Sequence, residues 1–401
     1  INDSYSLTKL QELMALNNAE LKRAYLQWQA ELLKIYPAGT LPDPHLSFTH
    51  YIQEVETRVG AQEEAIAVMQ KFPWFGKLDL RKAMQSEKAK ISHATYETLK
   101  LKLYRQIEEL YYDFYFQQKA LKVAESNKTL LINFEPIARK LIKTGKGSKD
   151  LLKLHVELGR VEDRISGVKL RLVPLNARLN ELLNRPSKSP ISLNIQLPER
   201  FTGSHQSKPR ELILKENPNL RKIEAKLSAA ENKILLARKD FSPDFTLGLN
   251  YIQTSAAGRF TDDNGKDPIM LTLSMNLPLN QRKYRDLEQV TIKEYTAIRS
   301  ESKQVERRLE RRLSIALYEI EDNERIIKLY QNTLIPKTKQ ALRITLQAYR
   351  NGKANFLELI DIQRQVLEFQ LMQHKALSQV YKQEAVLREL SNTSLQKGAS
   401  Q

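Results

Sequence analysis

The side chains able to do chemistry are present in this sequence, but they are scattered. Six histidines stand at 45, 50, 93, 155, 205 and 374, without the spacing to acidic partners that a metal site needs. His45 and His50 share one alternating segment, yet five positions apart they face opposite sides of a strand. No glycine loop is built to cradle a phosphate, and no Ser/His/Asp arrangement rises above chance. These readings predict a protein that is not an enzyme and that holds no cofactor or metal. The remaining polar residues of interest gather at two turns. Gly145, Gly147 and Gly352 lie where one helical pattern must reverse into the next, and glycine supplies the backbone freedom such a reversal needs. Ser148, Asn351 and Lys353 belong to the same turns. Asn355 has the form of an N-cap, and Glu358 then occupies the reciprocal position of a capping box. Asp361 lies one turn deeper, beyond the reach of the cap, where a solvated helix face is the plain alternative. Asp150 opens the matching helix of the first half, where a carboxylate suits the helix dipole.

Those turns belong to a chain written twice. Tyr51-Ile52-Gln53 recurs as Tyr251-Ile252-Gln253, Asn17-Asn18-Ala19-Glu20-Leu21 is echoed by Asn217-Pro218-Asn219-Leu220, and Phe72-Pro73 by Leu277-Pro278. A period of about 200 residues is far longer than a solenoid unit. It predicts a duplicated module of helix, hairpin, long helix and helix. The first repeat covers residues 1–207, with strands at about 45–53 and 64–72, a polar turn at 54–63, a long helix at about 75–142, a helix at about 148–185 and a linker at 186–207. The second covers 208–401, with strands at about 244–254 and 267–278, a long helix at about 283–350, a helix at about 355–391 and a polar tail. A helix spanning 75–142 would be roughly 100 Å long, more than one chain can bury in a compact core. Such helices need partners.

The strands alternate. Leu46, Phe48, His50 and Ile52 are expected on one face; Phe245, Leu247, Leu249 and Tyr251 on another; and Ile269, Leu271, Leu273, Met275 and Leu277 on a third. Each expected strand has the length that a tilted strand needs to cross a bilayer. Two hairpins cannot close a barrel alone, and lipid does not tolerate open sheet edges. Either several chains share one barrel or the hairpins are solvent-facing and packed on helices. No run of 18 apolar residues forms a transmembrane helix. The chain opens at Ile1 rather than Met, which reads as a trimmed mature form. Its net charge of +17 comes from 64 basic and 47 acidic residues that are interspersed, which favours solvated helix faces over a nucleic-acid surface.

With these features in hand, the sequence resembles the TolC family of outer-membrane efflux ducts over roughly residues 5 to 392. The most specific pieces are Gln70-Lys71-Phe72-Pro73-Trp74-Phe75-Gly76-Lys77-Leu78, and Tyr349-Arg350-Asn351-Gly352 followed by Phe356-Leu357-Glu358-Leu359-Ile360-Asp361. The first is similar to the run into the long helix in the branch serving heavy-metal and related resistance-nodulation-division pumps. The lipid-bearing N-terminal cysteine common in that branch is absent. The resemblance implies a mainly α fold with a membrane β-barrel contribution. It implies a homotrimer in the outer membrane of a Gram-negative bacterium, with twelve strands from three chains and a helical tunnel in the periplasm. The partners it implies are a periplasmic adaptor, an inner-membrane pump and outer-membrane lipid, with no nucleic acid. It places Gly145, Gly147, Ser148, Asn351, Gly352 and Lys353 at tip turns that touch the adaptor, and Asp361 and Glu358 at acidic rings narrowing the tunnel mouth. Phe245, Leu247, Leu249, Leu271 and Leu273 become the candidates to face lipid. The rival reading is a soluble coiled-coil scaffold or basic nucleic-acid-associated protein, which leaves the four strands unexplained.

Overall fold

The computed structural model describes residues 4–142, 148–200, 209–258 and 262–392. They fall into two compact units. One gathers residues 1–23, 96–218 and 305–401; the other gathers 24–95 and 219–304.

The second unit is built on a four-stranded sheet. Its strands are β2 (His45–Thr57), β3 (Gly60–Phe72), β5 (Phe245–Thr254) and β6 (Ile269–Met275), in the order β2-β3-β5-β6 with every pair antiparallel. The two hairpins are therefore one sheet, joined by β3 and β5. The β2–β3 strands run further than expected. The polar stretch 54–63 is not a turn but mostly strand, and only Arg58 and Val59 remain between the two. Gly60 makes this tight reversal possible. Its φ is +134°, and a Cβ there would stand 1.6 Å from the Ser255 carbonyl oxygen.

Register aligns the apolar residues of all four strands. Leu46, Val68, Leu249 and Leu271 form one cross-strand row, and Phe48, Ile66, Tyr251 and Ile269 the next. Leu247 lies opposite Leu273, and Phe245 lies between Phe72 and Met275. The other face carries Ser47, Ala67, Asn250 and Met270 in one row, and Gly248 opposite Thr272 in another. The regular β2 ladder breaks after His50. Ile52 falls in the irregular stretch, without a registered partner in β3. Tyr51 falls in the irregular stretch, whereas Tyr251 sits in a regular row. The tripeptide echo is not an equivalent position in the sheet.

Around this sheet the unit holds the end of α2 (Ala19–Leu33), α3 (Ile35–Ala38), the start of α4 (Lys77–Ile142), nearly all of α7 (Pro218–Lys239) and the start of α8 (Gln281–Leu329). Helices α7 and α8 are tied by Lys226–Glu301 at 2.8 Å, Lys233–Glu294 at 2.6 Å and Arg238–Glu288 at 2.8 Å. Such exposed pairs are individually worth little. They show where many of the interspersed charges go.

The first unit is helical. It contains α1 (Leu7–Asn17), the rest of α4, α5 (Ser148–Leu182), α6 (Pro209–Glu216), the rest of α8, α9 (Ile335–Arg350) and α10 (Phe356–Ser391). The expected helix at 283–350 is interrupted. A π-helical turn, Tyr330–Leu334, separates α8 from α9. Pro336 follows it and has no N–H for an α-helical bond, and the wider Ile335 N–H to Tyr330 C=O bond carries the chain through. A short parallel pair, β1 (Ser4–Tyr5) and β4 (Ser192–Leu193), uses the segment after α5 that alternates in sequence. Ile191, Leu193, Ile195 and Leu197 pack there on a core of Leu10, Met14, Ile107, Tyr111, Leu179 and Tyr381.

The two repeats brace their helix ends in the same way. Buried Asn18 donates from its side chain to the Leu182 carbonyl at 2.9 Å, at the end of α5. Buried Asn217 donates to the Leu390 carbonyl at 2.8 Å, near the end of α10. Each gives a buried terminal carbonyl the partner it needs. The Asn17–Asn18 and Asn217 echo in the sequence is this pair of contacts.

Candidate functional site

Two places carry the features expected of function, the sheet and the turn between α9 and α10. In the sheet, Phe245, Leu247, Leu249, Leu271 and Leu273 share one face, as their register requires. Leu271 is 74% exposed and Leu273 67%, although water is a poor neighbour for either. An apolar face over four strands, interrupted at Gln70 opposite Leu247 and backed mostly by small and polar residues, is the pattern of a sheet between lipid and water. The sheet's two outer strands, β2 and β6, each have a partner on one side only.

Where β3 leads into α4 and α7 leads into β5, one carboxylate organises the join. The Asp244 carboxylate accepts from the Trp74 N–H at 3.0 Å and from the buried Lys77 ammonium at 2.9 Å; Lys71 stands at 3.3 Å. Asp244 also closes the start of β5, its own N–H donating to Asn276 Oδ1 at 2.6 Å. Burial pushes the Asp244 carboxyl up, but the Lys77 and Trp74 hydrogen bonds outweigh it and hold the group below its ordinary range. Trp74 stacks on Phe245 at 5.5 Å. The Trp74-Phe75-Gly76-Lys77 run is thus a structural staple, and Asp244 is its receptor. Sequence reasoning missed Asp244. The available signal was Ser242-Pro243-Asp244 standing directly before an alternating strand.

At the turn after α9, Gly352 has φ +69°. Its N–H bonds to the Tyr349 carbonyl at 2.9 Å, and the Lys353 N–H reaches back to the Ala348 carbonyl at 2.8 Å. These are the paired bonds of a Schellman motif, which explains the glycine, with Asn351 as its C-cap. Asn355 then caps α10, its Oδ1 accepting from the Leu357 N–H at 3.1 Å. Glu358 does not complete a capping box. It is exposed and makes no bond back to Asn355, so the cap is one-sided. Gly145 and Gly147 lie outside the described residues; Ser148 opens α5, but its side chain lies outside them too.

Beneath the turn, Leu131, Phe134, Leu154, Tyr349, Phe356 and Leu359 form a second buried cluster. Tyr349 donates to Asp150 at 3.2 Å. Burial, and then the Asp150 charge, pushes this phenol above its ordinary range, so it stays a donor. Asp150 therefore does more than meet a helix dipole. Asp361 is exposed on α10, and the Arg364 guanidinium stands 3.5 Å from it. Arg364 also grips Glu157 on α5, with Nε at 3.0 Å from Oε2. These side chains and Arg160 line a cleft of about 460 Å³. Among the described residues no group of His, Cys, Asp and Glu is arranged to hold a metal, and no helix is long and apolar enough to cross a membrane.

Comparison with known proteins agrees with this arrangement. Residues 210–393 match a family described as Outer membrane efflux protein. That match takes in the second repeat, a little under half of the chain. The chain is 22% identical over 380 residues to the cobalt-zinc-cadmium resistance protein CzcC of Cupriavidus metallidurans, covering 92% of this chain and 85% of the relative. The fold is that of solved outer-membrane proteins. VceC of Vibrio cholerae superposes with a TM-score of 0.81 at 14% identity, covering 97% of this chain and 96% of the other. CusC superposes with 0.74 at 16% identity, covering 98% and 93%. These likenesses support an outer-membrane exit duct for an efflux system; proteins of the matched family are channels that work with periplasmic adaptors and inner-membrane pumps. The soluble scaffold reading has no support, since it offers no use for a largely apolar, exposed sheet face.

Proposed function

We propose that three copies of this chain close one twelve-stranded barrel in the outer membrane, with β6 of one copy pairing with β2 of the next. The observation that carries the proposal is the four-stranded sheet with one apolar face and two unpaired edges. Unpaired N–H and C=O groups cannot stand in hydrocarbon, so a lipid-facing sheet must close. Phe245, Leu247, Leu249, Leu271 and Leu273 then face lipid. The small and polar residues behind them line water.

The turns at Gly145, Gly147, Ser148, Asn351, Gly352 and Lys353 dock on a periplasmic adaptor, which couples the duct to an inner-membrane pump of the resistance-nodulation-division type. The likeness to CzcC supports a heavy-metal cation as cargo. Asp361 lines the narrowest part of the tunnel near this turn, with Glu358 one turn away. Three carboxylates at one radius attract cations and repel one another. Planar-bilayer recording tests this. The wild-type channel should prefer cations, and Asp361→Asn should weaken both that preference and block by multivalent cations while keeping the assembly. Wild-type selectivity and block in Asp361→Asn would remove Asp361 from the mouth and move the test to Glu358.

A further inference from the structure

We infer that Arg364 sets the charge of the tunnel mouth, offsetting the Asp361 carboxylates from a seat held by Glu157. This rests on the reading that Asp361 lines the tunnel. The Glu157 side chain is only 9% exposed, and a carboxylate so placed needs partners. It has two. Arg160, three residues along α5, donates from Nη1 to Oε1 at 2.9 Å. Arg364 crosses from α10 and presents a fork, Nε to Oε2 at 3.0 Å and Nη2 to Oε1. A two-pronged guanidinium–carboxylate contact fixes direction as well as distance.

The fork uses Nε and Nη2. The remaining nitrogen, Nη1, stands 3.5 Å from Asp361 Oδ1. Asp361 is the outward carboxylate of the set, its side chain 63% exposed against 9% for Glu157. Glu157, Arg160, Asp361 and Arg364 together carry two negative and two positive charges. At 3.5 Å the Arg364–Asp361 pair is far inside a Debye length of about 8–10 Å, so salt does not separate the two charges. Three chains would thus place three guanidiniums beside three Asp361 carboxylates. The mouth is less acidic than a bare ring, and its net charge depends on how Arg364 is shared between Glu157 and Asp361.

That sharing gives two substitutions of opposite sign. Arg364→Gln bares Asp361, and the cation-over-anion permeability ratio should rise at least about twofold. Arg364→Lys retains the charge and should bring the ratio back toward wild type. Glu157→Gln removes the competing carboxylate, commits Arg364 to Asp361 and should lower the ratio. The probes are potassium chloride gradients across planar bilayers, read beside Asp361→Asn, with assembly checked on unheated gels. A tip merely loosened would change conductance in both variants and shift selectivity the same way in each. If Asp361→Asn alters selectivity while Arg364→Gln and Glu157→Gln match wild type or move together, the Arg364 role is overturned and the Asp361 mouth stands. If Asp361→Asn alters nothing, the mouth reading itself fails.

Discussion

At the residue scale, the buried polar contacts decide more than the exposed charges. Asp244 gathers the Trp74 N–H, Lys77 and Lys71 around one carboxylate. Its carboxyl is held below its ordinary range in the fold. A lowered folded value means stability that is present above the unfolded value, near 3.9 or so, and lost as pH falls through the folded one. Asp244→Asn should lower stability by about 1–3 kcal/mol at pH 7, because it leaves the buried Lys77 ammonium without its main counter-charge. The gap from wild type should narrow as pH falls below about 4. Thermal unfolding in detergent across pH 3 to 7 reads this directly, and a constant gap would mean that Asp244 acts by shape alone. None of this was legible from Asp244 by itself, since its partners lie about 170 positions upstream. The one-sided cap at Asn355 was equally hidden. Residue types allow a capping box there, but only the hydrogen bonds at the cap show that the box is not formed.

At the element scale, alternation was legible wherever the ladder is regular. β5 and β6 pair without a slip, so the expected faces at Leu247, Leu249, Leu271 and Leu273 coincide with the observed one. β2 was ended too early, at Gln53, because the alternation fades where the register breaks after His50, and such a break carries no sequence mark comparable to a proline. The helix break at Tyr330–Leu334 was missed because Pro136 and Pro174 sit inside helices that do continue. Two substitutions test the sheet. Leu271→Arg should cost about 2–4 kcal/mol if the apolar face meets the bilayer midplane, whereas Thr272→Arg, on the other face, should cost far less. Equal effects in unfolding titrations would place both faces in water. Gly60→Ala should disrupt the β2–β3 hairpin, its Cβ meeting backbone 1.6 Å away, while Gly352→Ala, with open space around it, should cost only about 1 kcal/mol of backbone strain. Comparing the two melting temperatures separates collision from conformation.

At the scale of the whole molecule, the chain makes sense as a part and not as a finished object. Its sheet has two unpaired edges and an exposed apolar face. Its net charge of +17 is spread over helices, some of whose charges pair across neighbours, as Lys226, Lys233 and Arg238 do with Glu301, Glu294 and Glu288. The duplication was legible because both hairpins and both helix-end asparagines repeat; the sharing of one sheet by both hairpins was not, because β3–β5 pairing joins residues as distant as Phe72 and Phe245, or Gln62 and Thr254. The central claim is that three such chains close one barrel. Native mass measurement of the purified protein in mild detergent tests it most directly. The account predicts a trimer of 46.5 kDa chains that keeps its strand signal only while assembled. A stable monomer with its strands intact would contradict it.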